Sequence, residues 1–79
     1  MPNENKHIAA NLRRQRNAMG LTQADLASLA GVAQPRIAKL ERGDGDPRIS
    51  TVGRVAEALG ISTASLLIPL DAEISQEVA

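Results

Sequence analysis

The chain's 79 residues include no cysteine and no aromatic residue, and nine basic and nine acidic residues give a formal net charge of zero. A chain of this length can form one compact domain but not several, and without cysteine neither a disulfide framework nor a thiolate zinc site can stabilise it. Because it also lacks a run of about 20 apolar residues and an apolar secretory signal, we expect a soluble, cytoplasmic protein with no membrane partner.

A first helix is predicted over about residues 6–19, after a flexible N-terminus at residues 1–5. Ile8 and Leu12 lie one turn apart on its inner face, and its outer face is basic. Gly20 is expected to end it, because glycine adopts the positive φ of a helix C-terminus without steric cost.

A second helix is predicted to follow Thr22, a good N-cap, with Asp25 placed to complete a capping box. Ala27 is expected where this helix crosses the next one, since a longer side chain would push the two helices apart. Gly31 falls where the chain must reverse. The residues expected to face inward are Leu26, Ala27 and Ala30.

A third helix is predicted over about residues 34–42, because Pro35 is tolerated only in the first turn of a helix. Ile37 and Leu40 return to the apolar face, and Gly43 is expected to cap the end. The short connection between the second and third helices predicts a helix-turn-helix, with the third helix held out to reach a DNA groove.

The segment 43–47 is rich in Gly and Asp and is predicted to be a loop. Ser50 or Thr51 is expected to cap a fourth helix that ends at Gly60, with inward positions Val52, Val55, Ala56 and Leu59. Gly53 inside this helix costs about 1 kcal/mol relative to alanine, so we expect a packing reason for it or a weak helix there.

Ser62 is predicted to open a short fifth helix that Pro69 ends. Residues 69–79 then form an acidic tail, too short and too acidic to be a stable helix alone, which is a candidate dimerisation element. The predicted fold is all-α: a compact domain of five helices over residues 6–68.

Charge is unevenly distributed along the chain. All nine Lys and Arg lie between residues 6 and 54, and with the five acidic residues up to that point they leave a net charge of +4. The four acidic residues beyond Arg54 have no basic neighbour, so the remainder carries −4. A positive field on the first two thirds suits a polyanionic partner, although ordinary surface charge is the alternative.

In three runs, LTQADLA, GVAQPRIAKLERG and RVAEALGIS, the chain resembles the lambda-repressor-like (Cro/XRE-type) helix-turn-helix family. The resemblance extends from about residue 8 to residue 67. It departs at Gln15, where the family commonly has an apolar residue, and at Ala33, where the family usually has a Ser or Thr helix cap. The second departure is expected to weaken the start of the third helix slightly.

The resemblance implies that the third helix lies in the major groove and that the second helix crosses the DNA backbone. Gln34 is then the best candidate for direct readout, because glutamine can bond N6 and N7 of adenine together. An ordinary surface side chain is the alternative for each polar candidate, and a residue that merely starts the third helix is the alternative for Pro35. The DNA-binding residues implied are Gln23, Gln34, Pro35, Arg36, Lys39, Arg42 and Arg48.

The family resemblance also implies an ion pair between Arg16 and Glu41. The matching positions join the first helix to the end of the third, so a structural strut is favoured here over a DNA role for Arg16.

Catalytic chemistry is not expected. His7 is the only histidine and has no cysteine or second imidazole with which to hold a metal, so we predict no metal, no cofactor and no enzyme activity. The lack of aromatic residues also argues against a single-strand binder, which stacks bases on aromatic rings.

The leading hypothesis is a sequence-specific double-stranded DNA-binding repressor that binds a palindromic operator as a homodimer. The candidate dimer surface is apolar, with core closure as the alternative for Ile61 and Leu66; it consists of Ile61, Leu66, Leu67, Ile68 and Leu70. An antitoxin that binds a toxin and autoregulates its operon is the second hypothesis. A co-regulator that contacts the transcription machinery is the third.

Overall fold

The computed structural model of the chain describes residues 4–68, with side chains from residue 6 onwards. Within this range there are five α-helices and no strand: α1 Glu4–Ala18, α2 Gln23–Ala30, α3 Gln34–Arg42, α4 Ile49–Leu59 and α5 Thr63–Leu67. The predicted all-α fold of five helices is confirmed. The predictions made for residues 1–3, for Pro69 as the end of the fifth helix and for the acidic tail lie outside the described residues.

The five helices enclose one aliphatic core. α1 packs against α3 and α5, α2 packs against α3 and α4, and α4 packs against α5. Every position predicted to face inward is buried, which confirms the periodicity argument. The core residues are Ile8, Leu12, Leu26, Ala27, Ala30, Ile37, Leu40, Val52, Val55, Ala56, Leu59 and Leu66.

The first helix is shifted towards the N-terminus relative to the prediction, since it begins at Glu4 and ends at Ala18. Gly20 follows with a φ of 70°, as expected for the residue that lets the chain leave the helix.

The start of α2 has the predicted capping box. The Asp25 N–H donates to Thr22 Oγ1 at 3.0 Å, and the Thr22 N–H donates to Asp25 Oδ2 at 3.0 Å. The hydrogen bond from the Thr22 backbone, followed by the one from its side chain, lowers the pKa of Asp25. At the other end, Gly31 has a φ of 70°, and Val32 N–H donates to the Ala27 carbonyl at 3.0 Å, which reverses the chain towards α3.

The start of α4 differs from the prediction. The helix begins at Ile49 with Arg48 as its N-cap, so the assignment of Ser50 or Thr51 as the cap is wrong. Arg48 is extended, and its carbonyl accepts the first helical hydrogen bond, from the Val52 N–H at 3.0 Å. Burial does not set this boundary, since Ile49 is 70% exposed; the earlier start adds a backbone hydrogen bond to Arg48, where a side-chain cap at Ser50 or Thr51 would contribute about 1 kcal/mol.

Gly53 has no tight neighbour among the described residues. A Cβ built there would meet only Thr63 Oγ1, at 3.8 Å, which is ordinary van der Waals contact. The expectation of a packing reason is therefore not supported, and the glycine simply weakens α4.

Asn11 joins α1 to the end of α5, and the sequence argument did not identify it. Its side chain is 1% exposed, and Nδ2 donates to the carbonyls of Leu66 at 2.9 Å and Ile68 at 2.7 Å. These carbonyls at the end of a helix would otherwise be short of partners. The buried Oδ1 has no hydrogen-bond partner among the described residues.

The helices of residues 4–68 are too short or too polar to cross a membrane, the longest having 15 residues.

Candidate nucleic-acid interface

One side of α3 is free and the other is anchored. Ile37 is fully buried and Leu40 is 6% exposed, so the inner face of the helix is held against the core. The residues on its outer side are exposed: Gln34, Pro35, Arg36 and Lys39. Pro35 lies in the first turn, where its missing N–H removes no helical hydrogen bond, and the N-cap Ala33 has no polar side-chain atom with which to cap the helix.

Basic residues continue from α3 to the start of α4. A cleft of about 220 Å³ separates these two elements and is lined by Arg36, Lys39, Leu40, Asp44, Asp46, Pro47, Arg48 and Thr51. Three of the lining residues are basic and two are acidic. The cleft therefore brings cations from both helices to the same side of the molecule as the exposed edge of α3.

Arg42 lies near this cleft but has a partner of its own. Its Nε donates to Asp44 Oδ2 at 2.9 Å, and both side chains are more than half exposed. Exposed ion pairs of this kind contribute little to stability, so a stronger anionic partner can replace Asp44 at low cost.

The starts of α2 and α3 are joined by their first residues. Gln34 Nε2 donates to Gln23 Oε1 at 3.1 Å, and Gln23 is half-buried while Gln34 is exposed. The structure therefore places these two predicted site residues in contact, at the place where both helices begin.

Arg16 and Glu41 form a two-point ion pair. Arg16 Nε donates to Glu41 Oε2 at 2.5 Å and Arg16 Nη2 donates to Oε1 at 2.9 Å, with the two side chains 15% and 5% exposed. Arg16 Nη1 also donates to the Leu21 carbonyl at 2.8 Å. The pair thus ties α1 to the end of α3 and to the chain leading into α2.

This network keeps the Glu41 carboxylate charged. Burial raises the pKa of Glu41, but hydrogen bonds from Arg16 and Gln23 and the charges of Arg16 and Arg13 outweigh burial, so its pKa lies below the ordinary value. The same ion pair raises the pKa of Arg16.

Arg13 is a further contact that the sequence argument missed. Its Nη2 donates to the Glu41 backbone carbonyl at 2.7 Å, in the last turn of α3. Arg13 and Arg16 are three residues apart on α1 and therefore reach the same neighbour, a spacing that could have signalled the contact. A cation near a helix C-terminus is also favoured by the helix dipole.

The residues of the candidate dimer surface differ in how far they are buried within one chain. Leu66 is fully buried in the core of one chain, so it belongs to the core-closing alternative and not to a surface available to a second copy. Leu67 and Ile68 are half-buried, and Leu70 lies outside the described residues.

Comparison with protein-family models gives a match to HTH_3, helix-turn-helix, over residues 12–66. Among curated proteins, the HTH-type transcriptional regulator y4dJ of Sinorhizobium fredii is 36% identical over 66 residues, covering 84% of this chain and 86% of that protein. A protein named as antitoxin HigA2 of Mycobacterium tuberculosis is 40% identical over 53 residues, covering 66% of this chain and 52% of that protein.

Solved structures of other proteins, regulators among them, also superpose on this chain. The hypothetical transcription factor NHTF from Neisseria superposes with a TM-score of 0.88 at 26% identity, covering 92% of this chain and 84% of that one. The restriction-modification controller protein C.AhdI of Aeromonas hydrophila gives 0.74 at 31% identity, covering 78% and 94%. Hydroxypropylphosphonic acid epoxidase from S. wedmorenis gives 0.75 at 30% identity, but the match covers 87% of this chain and only 37% of the epoxidase.

Proposed function

Since this chain belongs to the Cro/C1-type helix-turn-helix family of DNA-binding transcriptional regulators, we propose that it is a cytoplasmic repressor that binds a palindromic operator as a homodimer. One observation carries the proposal. The outer edge of α3, with Gln34 and Lys39, is exposed, while Ile37 and Leu40 on the opposite face anchor the helix rigidly. The function is one of binding, with no catalytic role.

In this proposal α3 enters the major groove and α2 lies across the backbone. Gln34 reads an adenine through N6 and N7, and Lys39 contacts a guanine or a phosphate. Pro35 supplies shape and an apolar contact with a thymine methyl. The remaining contacts are to phosphates, from Gln23 at the positive end of the α2 dipole and from Arg36, Arg42 and Arg48.

A dimer follows from the small size of this reading surface. One copy presents few base-reading side chains, and two copies on half-sites about 34 Å apart double them. Leu67, Ile68 and Leu70 are the candidate contacts between the copies. The charge of +4 on residues up to Arg54 supports binding to a polyanion in spite of the net charge of zero.

Selection of bound sites from random duplexes tests this function. We expect a two-fold symmetric consensus, and gel shifts that weaken as salt rises. The variant Q34A should lose preference for the consensus and K39A should bind it more weakly, whereas E57Q, a change of an exposed residue on α4, should do neither. Failure to enrich any site, with equal binding to scrambled duplexes, would overturn the proposal.

The similarity to the protein named as antitoxin HigA2 supports a second candidate, an antitoxin that binds a toxin and autoregulates its operon. A small basic reading frame in the same operon would favour it, and its gene should arrest growth unless this chain is co-expressed. The double variant Q34A/K39A separates the two roles, because it should lose operator binding and still relieve the arrest. If the neighbouring frame causes no arrest, this candidate is excluded.

A further inference from the structure

Three side chains form a line of hydrogen bonds from the buried ion pair to the exposed start of α3. Glu41 Oε1 accepts from Gln23 Nε2 at 3.2 Å, and Gln23 Oε1 accepts from Gln34 Nε2 at 3.1 Å. Gln34 and Glu41 are seven residues apart on α3, about 10 Å along its axis, so they cannot touch directly. Gln23, from α2, bridges the gap.

The direction of this line is dictated by the charge of Glu41. A carboxylate only accepts hydrogen bonds, so Gln23 must turn its amide nitrogen towards Glu41 and its amide oxygen towards Gln34. Gln34 must then donate a hydrogen bond from its own amide nitrogen to that oxygen. Reversing the Gln34 amide would bring two oxygens together and lose one hydrogen bond.

We propose that Glu41 is a positioning residue for base selection, which orients the Gln34 amide through Gln23. The proposal rests on the function proposed above, since it requires Gln34 to read a base. Glu41 itself is 5% exposed and does not touch DNA. Its effect is to decide which outward atom of Gln34 accepts and which donates.

The consequence is discrimination between adenine and guanine. Adenine offers a donor at N6 and an acceptor at N7, and the fixed amide meets both. Guanine offers acceptors at O6 and N7, so either orientation of the amide donates one hydrogen bond to it and turns its oxygen towards the other acceptor; only adenine depends on the fixed orientation. When the orientation is no longer fixed, about half of the molecules present the amide that suits adenine, so the preference for adenine should fall by roughly 2-fold.

The variant E41Q is the direct test, because a neutral amide keeps the shape of Glu41 and can either donate or accept. The base pair read by Gln34 is first located as the one whose substitution ceases to matter in Q34A. We expect E41Q to show this weaker adenine-over-guanine preference at that base pair and to keep its preferences at the others. The matched control E57Q makes the same change of charge on the exposed side of α4 and should leave every preference unchanged.

A second variant tests the same line of hydrogen bonds in case E41Q does not fold. Q23M cuts the line of hydrogen bonds but leaves the Arg16–Glu41 ion pair in place, and it should show the same loss of preference at the same base pair. A general loss of affinity from the missing phosphate contact would affect all sequences equally and so can be distinguished. Unchanged adenine preference in folded E41Q or in Q23M overturns the proposal.

The network can also be observed without DNA. In NMR spectra of the free protein, E41Q and Q23M should shift the side-chain amide resonances of Gln34, and E57Q should not. If these shifts are seen but the wild type prefers no DNA sequence, the proposed function fails while the orienting network stands. If Gln34 does not respond to E41Q, the network itself is refuted.

Discussion

Removing Arg16 should strongly destabilise this chain. In R16M, the Glu41 carboxylate, 5% exposed, would lose both hydrogen bonds of the ion pair, and the Leu21 carbonyl would lose a third. Breaking a buried pair by removing one partner costs about 3–5 kcal/mol, and the hydrogen bond that Glu41 keeps from Gln23 places R16M at the lower end of this range. For a domain of this size, each kcal/mol lowers the Tm by roughly 4–8 °C, so we expect a fall of at least about 12 °C.

The assay is a double-mutant cycle followed by thermal or urea unfolding of wild type, R16M, E41L and R16M/E41L. The double variant leaves no buried charge, so it should be much more stable than the sum of the two single losses implies. R13M is the matched control on the same helix, and its single lost hydrogen bond should cost only about 1 kcal/mol. A coupling energy below about 0.5 kcal/mol between Arg16 and Glu41 would refute the buried strut.

Three further changes test other parts of the structure. G53A should stabilise the chain by about 1 kcal/mol, because a Cβ there meets only Thr63 at 3.8 Å; a lower Tm in thermal unfolding would contradict the packing described. N11D should cost about 3 kcal/mol or more at pH 7, because its carboxylate would face two backbone carbonyls. Burial should raise the pKa of that new carboxyl, so urea titrations should show part of the loss recovered as the pH falls and the group is protonated; a pH-independent loss would argue against this geometry. In the wild type, the pKa of Glu41 is below its ordinary value of 4.5, so its contribution to stability is present above that value and lost as the pH falls through the folded-state pKa. E41Q should therefore lose less stability than wild type on acidification, and equal losses in the two proteins would assign the acid sensitivity to other groups.

Much of the fold followed from local signals along the chain. The Thr22 and Asp25 capping box, the Gly31 reversal and the spacing of Ile37 and Leu40 depend on residues within one or two turns of each other. Such signals involve neighbours in sequence, and the structure has them as predicted. The start of α4 did not follow in this way, because the backbone continues the helix back to Arg48, whose carbonyl accepts from the Val52 N–H, and no side-chain cap forms at Ser50 or Thr51.

Contacts between distant parts of the chain could be found only in the folded molecule. Nothing near Asn11 in sequence indicates that its amide meets carbonyls 55 and 57 residues away, and the contact of Arg13 with the Glu41 carbonyl was not predicted either. The line from Glu41 to Gln34 likewise depends on α2 and α3 meeting at one angle. Helical periodicity predicts which face of a helix is buried. The hydrogen-bond partner of each polar group on that face depends on how whole helices cross in three dimensions.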